Sequence, residues 1–192
     1  MVAHDFSPTR EAWNLYTQGK EVDPRKIPNH VISSWQRCRK LKVDPYCDQQ
    51  LYSSSTELDQ RLDELDELIN IALPIMESIY EFVHQSNFQV ALSDAHGCLI
   101  KVLGNCGTLS ESRTDQLYLG ANWSELHKGT NAIGTCLIEK KALQIHAWEH
   151  FCATNHALTC SAAPIFDPDG NIVGVLDMTG DYRYINHYTM GI

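Results

Sequence analysis

From Leu58 onward the apolar positions fall alternately four and three apart: Leu58, Leu62, Leu65, Ile69, Ala72, Met76, Ile79 and Val83. That a/d spacing predicts one long helix over residues 56–86, capped by Thr56 after the polar break at 52–55. Pro74 takes the f position, farthest from the seam, so its missing hydrogen bond bends the helix outward and leaves the stripe intact. An a/d stripe is narrower than most globular helices carry, so two readings stand side by side. The seam pairs with a second chain through Leu58, Leu62, Leu65, Ile69, Met76 and Ile79, or it packs on this chain's own core.

Upstream, Ser7 to about Gly19 and Pro28 to Leu41 read as short amphipathic helices. After residue 86 the period changes from helical to extended. Phe88, Val90 and Leu92 alternate with polar or small neighbours, Asp94-Ala95-His96-Gly97 makes a turn, and residues 98–103 return as a second strand. Residues 104–128 form a long Gly, Asn, Ser and Thr-rich connection of the sort that often covers a ligand site. Thr130 and Asn131 then cap a helix bearing Ile133, Cys136 and Leu137 on one face and closed by Lys140 and Lys141. Gly134 inside it costs about 1 kcal/mol relative to Ala, which implies something packed close against that turn. Residues 143–147 read as a strand, and Asp167-Pro168-Asp169-Gly170 joins strands 157–166 and 171–179 in a hairpin. The expected class is α+β: one antiparallel sheet with helices on one face and loops on the other.

At 192 residues with 43% hydrophobic content, the chain holds one good core plus an extension. The expected division is a helical extension over 1–55, a signalling helix over 56–86 and a sensor domain over 87–192. A net charge of −9 argues against a phosphate-binding surface, so no nucleic-acid partner is expected. No run approaches the roughly 18 apolar residues of a membrane span, and no apolar signal core opens the chain, which predicts a cytoplasmic protein. Seven cysteines without a Cys-x-x-Cys pair favour reduced thiols over a disulfide framework or zinc knuckle.

Gly129 to Thr135, Gln144-Ile145-His146, Glu149-His150-Phe151 and Cys160 to Gly180 resemble the amino-terminal GAF sensor domain of sigma-54-dependent transcriptional activators of the acetoin-catabolism regulator type. Ser34-Trp35-Gln36-Arg37-Cys38 resembles that family's Ser-Trp-x-Arg-Cys segment. The resemblance implies a GAF-like, PAS-related fold that senses a small catabolic metabolite. It also implies a downstream AAA+ ATPase and sigma-54 RNA polymerase as partners, although no Gly-x-x-x-x-Gly-Lys-[Ser/Thr] phosphate loop occurs here. No cofactor and no enzymatic activity are expected.

Strand alternation suggests where a metabolite would sit. Val175, Asp177 and Thr179 share one face of the last strand and suit a pocket, while Gly174, Leu176 and Met178 suit the core helices. Asp177 either accepts a proton from a ligand hydroxyl or caps a neighbouring loop. Cys160 and Ser161 on the preceding strand, Trp123 and Trp148 in the loops, Thr130 and Asn131 at the helix start, and His146 and His150 complete the candidate set. His146, His150 and His156 with Cys152 and Cys160 also carry donors for a metal or redox sensor, against which stands the lack of a paired-ligand motif. A GAF-fold free methionine sulfoxide reductase using Cys152 and Cys160 is the enzymatic alternative.

Overall fold

A computed structural model of the chain describes residues 6–46, 51–84, 88–104 and 117–184. Helices α1 (Ser7–Thr17) and α2 (Asn29–Lys40) lead into α3 (Ser55–Glu64) and α4 (Asp66–Val83). A hairpin of β1 (Gln89–Asp94) and β2 (Leu99–Leu103) follows, then α5 (Glu125–Lys128), α6 (Ala132–Glu139), β3 (Leu143–His146), β4 (Leu158–Phe166) and β5 (Ile172–Asp181). The strands form one antiparallel sheet in the order β2-β1-β5-β4-β3. The α+β class and both expected hairpins are therefore present. The ends of the connection over 104–128 are seen, but its residues 105–116 lie outside the described residues, as do 85–86 of the expected long helix and 185–192.

The long helix is two helices. Ser54, two residues earlier than expected, is the cap: its Oγ accepts from Glu57 N, and Glu57 Oε2 accepts in return from Ser54 N, a complete capping box. Helix α3 ends at Leu65, whose φ of −109° and ψ of 14° leave the helical region. Neither proline nor glycine stands there. An ion pair between Arg61 and the buried Asp94 ties α3 to the β1–β2 turn. Pro74 lies inside α4 on its exposed side, away from the seam as its position required.

Of the two readings of the seam, the structure shows the packing on this chain's own sheet. Ala72, Met76 and Val83 are buried with Val90, Leu92, Ile100 and Met178, and Leu62, Leu65, Ile69 and Ile79 pack against the same cluster. Leu58 is half-buried, its methyl groups turned to Gly120. A single face of a helix offers the same stripe to a partner helix or to a sheet, and here the sheet takes it.

Helices cover both faces of the sheet, not one. Strand register puts Leu176, Met178, Ser161 and Ala163 on the α4 side, and Val175, Asp177, Thr179, Cys160 and Ala162 on the other. That second side lies under α6, whose Ala132, Ile133 and Cys136 share a core with α1 and α2 through Trp13, Val31 and Trp35. The strand face assigned to a loop-covered pocket is thus roofed by a helix. Among the described residues no helix is long and apolar enough to cross a membrane.

Candidate functional site

The two most distinctive sequence segments meet. Ser34, Trp35, Arg37 and Cys38 project from one side of α2 because positions three and four apart share a helical face. Ser34 and Arg37 converge on the buried carboxylate of Glu125, while Cys38 Sγ lies 3.6 Å from Thr130 Oγ1. Glu125 Oε1 accepts from Ser34 Oγ at 2.6 Å, Thr135 Oγ1 at 2.9 Å and Arg37 Nη2 at 2.9 Å, and Glu125 Oε2 accepts from Arg37 Nε at 2.8 Å. The Ser34 proton is committed to Glu125, so Thr130 Oγ1, 2.6 Å from Ser34 Oγ, donates to it. Trp35 Nε1 donates to the Glu149 carbonyl at 2.9 Å, fastening α2 to the turn after β3. Asn131 caps α6 by accepting from Gly134 N at 2.9 Å, while its Nδ2 donates to the carbonyls of Trp123 and Gly129. Thr130 and Asn131 were expected to meet a ligand; Thr130 is instead bonded to Ser34 of α2, and Asn131 to the start of α6 and the carbonyls of Trp123 and Gly129.

Beneath α6 lies a second buried carboxylate, and this one is not satisfied. Asp177 is 2% exposed, its Oδ2 accepts from Thr179 Oγ1 at 2.5 Å, and its Oδ1 has no hydrogen-bond partner. The neighbouring donors are committed elsewhere. Ala147 has φ of +44°, a left-handed conformation that alanine rarely adopts, and its carbonyl accepts from His150 N and from His150 Nδ1. Burial drives the His150 pKa down to about 3, so the ring is neutral; with the proton on Nδ1, Nε2 is an acceptor. Cys160 Sγ, 3.4 Å away, therefore donates to His150 and not to Asp177. Ala91 on β1 and Ala162 on β4 are the cross-strand partners of Asp177, so only methyl groups flank it within the sheet.

Burial without a counter-charge pushes the Asp177 carboxyl up to about 7, with the Thr179 hydrogen bond opposing only part of the rise. A carboxyl whose folded pKa is raised binds a proton in the native state that the unfolded chain has lost. The wild type consequently loses stability as pH climbs from about 4 through about 7. Asparagine does not titrate, so Asp177→Asn is expected to gain about 2–3 kcal/mol relative to wild type between pH 5 and pH 8. Urea unfolding at the two pH values measures this, and an unchanged difference refutes the assignment of the raised group.

The remaining candidates are dispersed. Ser161 faces the α4 side, where its Oγ accepts from Gln144 Nε2 at 3.0 Å. These two line a cleft of about 250 Å³ with Ile79, Val90, Leu176 and Met178, and Ala162 and Asp177 of the intervening strands also border it. His146 lies on that same face, its Nδ1 2.5 Å from Thr159 Oγ1. Trp148 belongs to an aromatic group with Phe6, His156 and Tyr182 under α1, and Trp123 is buried in the core beside Lys128. Only His150, Cys160 and Asp177 come together. Thr179 belongs with them; its place two residues after Asp177 on the same strand face was the available signal. Glu125 went unnoticed because its partners Ser34 and Arg37 lie 91 and 88 residues away in sequence.

Among the described residues no group of three or more His, Cys, Asp or Glu side chains is arranged to hold a metal ion. His146 and His150 point to opposite sides of the sheet, and His156 packs edge-on against Trp13. Burial drives the Cys160 thiol well above its ordinary value, the reverse of the low-pKa thiolate that a redox nucleophile needs.

A family model, the MimR N-terminal domain, matches residues 6–190. The acetoin dehydrogenase operon transcriptional activator AcoR of Bacillus subtilis is 29% identical over 95% of this chain, and the acetoin catabolism regulatory protein of Cupriavidus necator is 36% identical over 78%. This chain spans 30% and 23% of those two relatives. The E. coli DhaR(N)–DhaL complex contains a chain of the same fold, with a TM-score of 0.77 at 18% identity over 84% of this chain and 55% of that one.

Proposed function

This chain belongs to the MimR N-terminal domain family, and from that premise we propose that it is the signal-receiving region of a bacterial transcriptional activator, binding a small metabolite and performing no chemistry of its own. The observation that carries the reading is Asp177: a fully buried carboxyl with an oxygen that no protein group satisfies. Leaving such a group unpaired costs about 1–3 kcal/mol or more, a cost that a bound ligand removes. Two relatives bear names of acetoin regulation, which supports an acetoin-like carbonyl compound or alcohol as the metabolite.

The route outward runs through α6. One side of that helix covers Asp177 through Cys136, and its Thr135 holds the Glu125 carboxylate together with Ser34 and Arg37 of α2. A ligand that shifts α6 against the sheet shifts this junction, with an energy bounded by its differential affinity for the two states. In the whole activator the change would pass to an AAA+ ATPase acting on sigma-54 RNA polymerase in the cytoplasm. A homodimer in this reading uses the outer side of α4, where Ile71 and Ile75 are exposed, because the seam residues are committed to the sheet.

Calorimetric titration with acetoin, diacetyl, short alcohols and dihydroxyacetone tests the reading. Saturable heat with at least one of them is expected. No binding by any of the four overturns the metabolite assignment.

A further inference from the structure

We propose that the ligand is a compact, neutral alcohol whose hydroxyl group pairs with Asp177 Oδ1 between β5 and α6. The inference rests on the sensing reading above and deepens it, since it names the chemical class the buried site accepts.

Proton bookkeeping around the carboxyl sets the requirement. Thr179 spends its one hydroxyl proton on Oδ2, and Cys160 spends its thiol proton on His150 Nε2. The cross-strand partners Ala91 and Ala162 have no donor to give. The partner of Oδ1 has to come with the ligand. With methyl groups on both flanking strands and the Thr179 and Cys160 protons already committed, Asp177 Oδ1 is the unpartnered polar atom of this face, and the surroundings suit a ligand of a few carbons.

Three ligand chemistries can then be compared. A ketone only accepts, so it pairs with the acid form of Asp177 and is lost when the group ionises. An ammonium group only donates, and it carries three N–H bonds into a place that offers one free acceptor. Two unmet donors on a buried cation make that arrangement costly. A hydroxyl both donates and accepts, so it pairs with Asp177 in either protonation state. This matters because burial places the titration of Asp177 near neutral pH. The titratable groups facing it are Cys136 from α6 and Cys160 from β4, both thiols raised by burial and neutral; His150, beyond Cys160, is neutral too. No cation of the described residues pairs with it.

The test uses 2-butanol, butanone and 2-aminobutane, matched in carbon skeleton, titrated into the 192-residue chain at pH 6 and pH 8. The expected result is saturable binding of 2-butanol at both pH values. Butanone is expected to weaken at least about tenfold on going to pH 8, and 2-aminobutane to bind more weakly than the alcohol at both. Asp177→Leu, which keeps the volume and removes every hydrogen-bonding atom, is expected to weaken 2-butanol at least about tenfold once native circular dichroism is confirmed. Equal affinity for alcohol and ketone at pH 8, tighter binding of the amine, or unchanged binding by Asp177→Leu would overturn the proposal while leaving a sensor that binds elsewhere. Should the Leu variant fail to fold, the three probes on wild type decide the matter. If none of these probes binds while diacetyl, which carries no hydroxyl, does, the alcohol class is wrong and the sensing reading survives. If nothing in either series binds, both fall.

Discussion

Replacing Arg37 with methionine is expected to destabilise the chain by about 3 kcal/mol, the usual result of stripping one partner from a buried ion pair. For a chain of this size that lowers the melting temperature by roughly 6–12 °C. The size of the effect follows from asymmetry of exposure. The Glu125 side chain is 1% exposed and Arg37 28%, so the variant leaves a carboxylate that water cannot reach and that only Ser34 and Thr135 still satisfy. Methionine keeps most of the apolar stem, which isolates the lost charge from lost packing. The second arm of Arg37, to Glu139 at 3.0 Å, supplies an internal control. Glu139→Gln removes only a rim contact and is expected to cost less than about 1 kcal/mol. A shift of 2 °C or less for Arg37→Met in a thermal melt would make Glu125 a surface-like pair and remove the junction between α2 and α6.

Gly134→Ala reverses the usual rule for a helix interior. Propensity alone predicts a gain of about 1 kcal/mol. A Cβ at this position would sit 2.6 Å from Glu125 N and from Trp123 O, and 3.0 Å from Asn131 Nδ2. The first two are backbone atoms, which cannot rotate aside, and the third belongs to the cap of the same helix. Relief requires α6 to move away from the 123–125 segment, which strains the Asn131 cap and the Glu125 cluster together. A net loss of about 3 kcal/mol is expected, measured as a lower urea midpoint at unchanged slope. A midpoint equal to or above that of wild type would show that α6 has room to spare, and with it that the α5–α6 contact is looser than the geometry requires.

The close approach at Gly134 was legible in the sequence, because a glycine that weakens a helix must be tolerated for a reason. So were the strands, since residues 88–92 and 171–179 alternate cleanly and turns with suitable Asp, Pro and Gly chemistry join each hairpin. The break at Leu65 was not. Neither proline nor glycine marks it, and the ion pair that ties the preceding turn to Asp94 spans 33 residues. The destination of the a/d stripe was equally hidden, because Met76 presents the same face whether a sheet or another chain meets it. At the site, alternation correctly put Asp177 and Thr179 together and separated them from Met178. It could not say what covers each side: that depends on where α6 and α4 lie, and the strand order β2-β1-β5-β4-β3 settles it only in three dimensions. Thr130 and Asn131 looked like ligand donors because a helix start offers free N–H groups, and the α2 neighbours of Thr130 were too distant in sequence to be counted.

The site beneath α6 and the cleft beside α4 make opposite demands on hydrogen exchange. With saturating 2-butanol, the account predicts slower exchange of the amides in Ala132–Glu139, the helix that covers Asp177, with those of Asp66–Val83 unchanged. Protection confined to Asp66–Val83, with α6 unaffected, would place the ligand in the cleft lined by Ile79 and Ser161 and contradict the account.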